Sequence, residues 1–225
     1  MIPVTKPFLP PIEEYQNYVS GIWKRNYLTN NGPLVNDLEM KLKDYLEIPH
    51  ILFVTNGTIA LQIAIKALQL KGEIITTPFS FVATTSSIMW EECKPVFVDI
   101  DPAYYSIDEN KIEAVITNNT KAIILVHLHG QMSNIEAVHT ICKKHNLYLI
   151  EDCAQSHLSE YNGVKAGVTG IAGSFSFYPG KNLGAYGDAG CIITNDDALA
   201  EKCKMFARHG ALKKHQHQIE GINSR

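Results

Sequence analysis

Two rhythms of apolar residues alternate along this chain. Short, nearly unbroken apolar runs predict strands at Ile51–Val54, Ile74–Thr77, Pro95–Val98, Ala122–Val126, Leu147–Ile150, Ser174–Phe177 and Cys191–Thr194. Between them lie segments of helical period. Thr58–Leu70 carries Ile59, Leu61, Ile63, Ala64, Ile65 and Leu68, and Phe79–Trp90, Asn134–His145 and Asp197–Arg208 follow the same pattern. Strands apolar at every position are buried on both faces. Their alternation with helices predicts an α/β fold, a three-layer α/β/α arrangement around a mostly parallel sheet. Ligands of such sheets bind at the carboxyl ends of the strands. There is no internal repeat. The polar stretch 213–217 reads as a loop, with His215 and His217 solvated rather than metal-binding.

Composition narrows the class. At 225 residues the chain has room for one sizeable domain, and 45% apolar with 19% charged residues is the balance of a soluble globular protein. A net charge of −3 gives no footprint for nucleic acid. No window reaches the roughly 20 apolar residues of a membrane helix, and residues 1–7 lack the apolar core of a signal peptide. The five cysteines are odd in number, widely spaced and without a C-x-x-C pair, so they read as reduced, mostly buried thiols of a cytoplasmic protein.

One charge stands out. Lys181 is the sole charged residue between Lys165 and Asp188, after an apolar strand and inside a glycine-punctuated turn. Such a lysine is a phosphate clamp or a reactive amine. A P-loop is excluded because Asn182 follows Gly180-Lys181 and Phe175 occupies the first glycine position. The glycines at 167, 170 and 173 have the wrong spacing for a dinucleotide fingerprint. At other strand ends, Thr55-Asn56-Gly57-Thr58 opens onto a helix, which makes either a phosphate site or a plain helix cap. Asp152 ends a buried strand and needs a partner to stay charged, either a cation or the N–H groups of a following turn. A phosphate cradle, a carboxylate and a lysine are together what pyridoxal phosphate requires. The lysine condenses with the aldehyde, and the acid keeps the ring nitrogen protonated.

Seven segments in order carry a family resemblance: 29–33 (TNNGP), 55–61 (TNGTIAL), 77–84 (TPFSFVAT), 95–101 (PVFVDID), 151–155 (EDCAQ), 176–184 (SFYPGKNLG) and 221–225 (GINSR). With them the chain resembles the DegT/DnrJ/StrS-type sugar aminotransferases, fold-type I pyridoxal-phosphate enzymes. The resemblance implies that Lys181 holds the cofactor and shuttles a proton, that Asp152 pairs with the ring nitrogen, and that Gln155 reaches the ring's 3-oxygen. It further implies that Phe81 stacks on the ring and that Gly57, Thr58 and Ser176 bind the phosphate. Asn223 would reach the phosphate of a neighbouring subunit, making a homodimer, and Tyr186 would touch the sugar; no metal is implied. Ala189, Ile171-Ala172 and Met132 depart from the family pattern at positions without a catalytic role.

The implied reaction moves an amino group from glutamate to a keto-sugar on a nucleoside diphosphate, in amino-sugar and polysaccharide biosynthesis. The segment around Lys181 is similar to that of members acting on dTDP- or UDP-linked 3-keto sugars, while the N-terminal half also resembles 4-keto enzymes. Whole members continue past the last motif into a long helix and a smaller C-terminal domain. Residues 1–225 are therefore expected to be the cofactor-binding large domain with an N-terminal arm and no small domain. An inactive or regulatory truncated member is the alternative. A pyridoxamine-dependent sugar dehydratase is disfavoured, because that branch carries histidine where this chain has Lys181.

Overall fold

A computed structural model describes residues 6–213 and 215–224. Met1–Thr5 of the N-terminal reading, Lys214 of the polar stretch and Arg225 of the last motif lie outside the described residues. The chain runs α1 (Ile12–Arg25), α2 (Pro33–Leu46), β1 (His50–Val54), α3 (Gly57–Ala67), β2 (Glu73–Thr76), α4 (Val82–Trp90), β3 (Lys94–Phe97), α5 (Glu109–Ile112) and β4 (Thr120–Val126). It continues through α6 (Ile135–His145), β5 (Tyr148–Asp152), β6 (Glu160–Tyr161), β7 (Val164–Lys165), β8 (Ala172–Ser176), β9 (Gly190–Thr194) and α7 (Asp197–Ala207). Seven strands form one sheet in the order β1-β9-β8-β5-β4-β2-β3. Only β9 runs against the rest, since its pairings with β1 and β8 are antiparallel and the others are parallel.

The double-sided burial inferred from the apolar runs is met by helices on both faces. Alternate strand residues Ile123, Leu125, Leu149 and Ile193 join Ile135, Val138 and Cys142 of α6 and Leu46 of α2. Their neighbours Ala122, Ile124 and Ile150 pack with Leu61 and Ile65 of α3 and Ile88 of α4, and Ile192 packs with α3 and with Leu199 and Cys203 of α7. All five cysteines are buried and free.

The element boundaries differ from the sequence pattern where local chemistry intervenes. α4 starts at Val82 instead of Phe79: Thr77 Oγ1 accepts the Phe79 N–H at 3.2 Å, residues 78–80 bend, and Phe81 is extended at the helix N-cap. α3 stops at Ala67, and Gln69 takes a left-handed φ of 55° while Leu70 N–H caps Ile65. β5 runs two residues past Ile150, which places Glu151 and Asp152 within the strand. Ile12–Arg25 and Pro33–Leu46, without an assigned element in the apolar pattern, form α1 and α2. No residue of α1 is buried, although Ile12, Tyr15, Val19, Ile22 and Trp23 recur at helical spacing. His215 and His217 are exposed, and His217 Nδ1 lies 2.7 Å from the carbonyl oxygen of His209. Among the described residues no helix is long and apolar enough to cross a membrane.

Candidate active site

The carboxyl ends of β4, β5 and β8 and the turn from β1 into α3 surround a cavity of about 490 Å³. At α3 the Asn56 side chain accepts the Ile59 N–H at 2.9 Å, so the plain helix cap is present. Beside it, Gly57 and Thr58 open the helix at the cavity wall. A Cβ on Gly57 would lie 2.9 Å from the Cβ of Ser176, and one on Gly190 would lie 2.3 Å from the Asn56 backbone. Both close approaches require glycine. They bring β8 and β9 against the helix N-terminus, where backbone N–H groups and the helix dipole favour an anion.

Behind the cradle, Ser224 ties the last motif to the turn before α3: its Oγ accepts the Thr55 N–H at 3.1 Å and lies 3.0 Å from Thr55 Oγ1. On β8, His157 Nε2 donates to the Ser176 carbonyl at 2.7 Å with its ring against Phe175 and Phe177. Burial holds this imidazole below the usual histidine range.

Asp152 is the last residue of β5 and is buried. Its Oδ2 accepts from Thr84 Oγ1 at 2.8 Å and its Oδ1 from the Ala154 N–H at 3.1 Å, so turn capping accounts for one oxygen. Among the described residues no cation lies within ion-pair distance of it. Burial pushes the carboxyl above its ordinary range, against the Thr84 and Ala154 hydrogen bonds and the charge of Lys181. Lys181 stands in the turn after β8, its N–H bonded to the Tyr178 carbonyl at 2.8 Å. Burial draws its amine below the usual lysine range, opposed by Asp152. Both groups are displaced toward neutrality, the condition a nucleophilic amine needs.

Gly57, Thr58, Phe81, Asp152, Gln155, Ser176 and Lys181 all line this one cavity. Gln155 Oε1 accepts the His129 N–H at 2.9 Å, which leaves its NH₂ to donate inward. Phe81 sits at the rim, 70% exposed. Two expected residues do not line the cavity. Tyr186 packs edge-on against Tyr15 with centroids 4.6 Å apart, and Asn223 is exposed and bridges to Arg208.

The sequence reading missed Ser80, Thr84 and His127, which also line the cavity. A histidine directly after β4 was a usable signal; nothing in the sequence pairs Thr84 with a residue 68 positions away. His127, Glu151 and Cys153 form a buried group with ligand atoms within 4.8 Å of one another. The His127 and Glu151 atoms are already engaged. His127 Nδ1 accepts the Ser133 N–H at 3.1 Å, so Nε2 carries the proton and donates to Glu151 at 2.9 Å. Glu151 accepts three further backbone N–H groups.

The model of the DegT/DnrJ/EryC1/StrS aminotransferase family matches residues 11–225. The chain belongs to this family. Pyridoxal phosphate is the family's cofactor, and the residues present fit it: a lysine amine drawn toward neutrality, a buried carboxylate without an ion-pair partner among the described residues, and a helix N-terminus opening on the same cavity.

This family member is 48% identical over 196 residues to a pleiotropic regulatory protein of Geobacillus stearothermophilus, covering 86% of this chain and 53% of that protein. It is 42% identical to the UDP-2-acetamido-2-deoxy-3-oxo-D-glucuronate aminotransferase of Pseudomonas aeruginosa (86% and 55% covered). It is 37% identical to the dTDP-4-amino-4,6-dideoxy-D-glucose transaminase of Escherichia coli (100% and 60%). The chain spans about half the length of the curated relatives it matches. Among solved structures, an aminotransferase from Helicobacter pylori involved in the biosynthesis of pseudoaminic acid superposes with a TM-score of 0.92 at 33% identity (99% and 61% covered). A Bacillus subtilis structure with bound cofactor PMP superposes at 0.89 and 32% (100% and 54%).

Proposed function

We propose that the chain is the cofactor-binding large domain of a nucleotide-sugar aminotransferase. Glutamate is the amino donor, and a dTDP- or UDP-linked 3-keto (deoxy)hexose is the acceptor. The enzyme works as a cytoplasmic homodimer in amino-sugar and polysaccharide biosynthesis. The observation that carries this reading is the meeting of Lys181 and a cation-free, buried Asp152 in one cavity beside the α3 N-terminus.

Pyridoxal phosphate, when bound, supplies an aldehyde that condenses with amines and a ring that takes up the electron pair left on carbon. Lys181 Nζ would provide the condensing amine and the base that carries a proton to and from the donor carbon. Asp152 would hold a proton on the ring nitrogen, and the Gln155 NH₂ would donate to the ring's 3-oxygen. The N–H groups of Gly57 and Thr58 and Ser176 Oγ would hold the phosphate. Phe81 at the rim covers the ring and excludes water. Tyr186 contacts the sugar, and Asn223 reaches the cofactor phosphate of the second subunit.

With added pyridoxal phosphate, the purified chain is expected to develop the absorbance band of lysine-bound cofactor, absent in Lys181→Ala. Glutamate should discharge the band and a 3-keto-sugar nucleotide restore it. A wild-type protein without any band would sink the cofactor assignment, and a band unmoved by glutamate would sink the transaminase. A 4-keto acceptor is the second reading, favoured by the Escherichia coli relative, which matches across the whole chain. Restoration by the 4-keto compound alone selects it.

A further inference from the structure

Two hydroxyls stand in line behind Asp152. Ser80 Oγ lies 2.8 Å from Thr84 Oγ1, which lies 2.8 Å from Asp152 Oδ2. Thr84 is buried in the first turn of α4, where its N–H bonds to the Phe81 carbonyl. Ser80 is half-buried on the preceding loop and lines the cavity. An ionised carboxylate only accepts, and a hydroxyl has one hydrogen to give. The Thr84 hydrogen is therefore spent on Asp152, and Ser80 must donate to Thr84. Both hydroxyls point the same way for as long as Asp152 carries its charge. A protonated Oδ2 would accept more weakly, so the Thr84 donor favours the charged acid. With Ala154 N–H on Oδ1, the carboxylate is held from two elements, α4 and the turn after β5.

We propose that Ser80 and Thr84 form a directed hydroxyl relay that positions Asp152 and favours its charged form, so that its remaining lone pairs meet the cation placed in the cavity. Thr84 is thus a positioning residue, acting through Asp152. The proposal rests on the reading of this cavity as a pyridoxal-phosphate site, with the ring nitrogen as the cation. A hydrogen bond to the charged form of a buried acid favours that form. The other titratable groups beside Asp152 include Lys181, His127 and Asp188, which line the same cavity, and none is altered by the variants below.

The test begins without cofactor. In the chain labelled with ¹³C at aspartate carboxyls, the Asp152 signal is titrated by NMR in wild type, Thr84→Val, Thr84→Ser and Ser80→Ala. Thr84→Val keeps the shape and removes the donor. Its Asp152 midpoint is expected to rise by about one pH unit, a tenfold gain in proton affinity. Thr84→Ser should restore the wild-type midpoint, and Ser80→Ala should give a smaller rise. In loaded protein, the ¹⁵N signal of the cofactor ring is expected to lose its proton at lower pH in Thr84→Val. Superimposable apo titrations of wild type and Thr84→Val, or a Thr84→Ser variant that fails to rescue, overturn the relay. Should Thr84→Val not fold, Ser80→Ala decides, and an unchanged midpoint there is equally fatal. If wild type takes up no cofactor, the enzyme reading falls while the apo titrations still judge the relay.

Discussion

Glu151 and Asp152 are neighbours on β5, both buried, and they face opposite sides of the sheet. Glu151 turns toward the α6 face. There it accepts from His127 Nε2 at 2.9 Å, Gly167 N–H at 2.8 Å, Thr169 N–H at 2.9 Å and Gly170 N–H at 2.6 Å. Each carboxylate oxygen has two donors, and the residue's task is to hold the 167–170 loop and His127 in place. Asp152 turns toward α4, receives two donors in all, and lines the cavity. Burial of a charge does not distinguish the two. What distinguishes them is unspent hydrogen-bond capacity opening onto a space large enough for a ligand. One acid is part of the architecture, and the other keeps hydrogen-bond capacity facing a ligand-sized cavity.

Substitutions that neutralise each acid should therefore act in opposite directions. Glu151→Gln turns an acceptor into an NH₂ that faces backbone donors, and is expected to lower unfolding free energy by about 3 kcal/mol, measured by urea denaturation. A loss under about 1 kcal/mol would mean that Glu151 is not the clamp described. Asp152→Asn should stabilise the apo protein at pH 7, raising Tm by about 2–4 °C. The sign follows from the raised folded-state pKa of Asp152. Its contribution to stability is intact below the unfolded carboxylate pKa and is lost as pH rises through the folded value, so the advantage of Asn should vanish toward acid pH. The same variant should bind pyridoxal phosphate without supporting transamination. An Asp152→Asn protein that melts below wild type at neutral pH would place Asp152 in the same class as Glu151.

The smallest effect concerns His157, a third buried titratable group, whose proton affinity is lowered first by burial. For this depressed base, stability is lost as pH falls from the unfolded histidine pKa near 6.5 toward the lower folded value. Against His157→Gln, which can still donate to the Ser176 carbonyl, wild type should lose up to about 1 kcal/mol between roughly pH 6.5 and 5. Parallel stability curves across that range would show that His157 carries no such penalty.

Much of this arrangement was legible in the order of residues. Continuous apolar runs can be stable only in a sheet covered on both sides, so the layers and the face that binds ligand followed from pattern. The lone Lys181 and the acid ending β5 were visible because each is a polar residue where the pattern calls for an apolar or neutral one. Seven of the nine expected site residues line one cavity. α1 was legible too, since its apolar residues recur at helical spacing even though none is buried, and the start of α4 was misplaced because the Phe79 N–H bonds to the Thr77 side chain.

The sequence by itself determined the α/β class, the strand ends that carry chemistry and the family, since periodicity and short motifs are local properties of the chain. Only the tertiary structure decided which partners those residues have. That Thr84 reaches Asp152 across 68 positions, that Gly57 meets Ser176, and that Glu151 is saturated while Asp152 is not all depend on how distant segments pack. Hydrogen-bond capacity is spent or left free by neighbours in space, and no spacing along the chain records it.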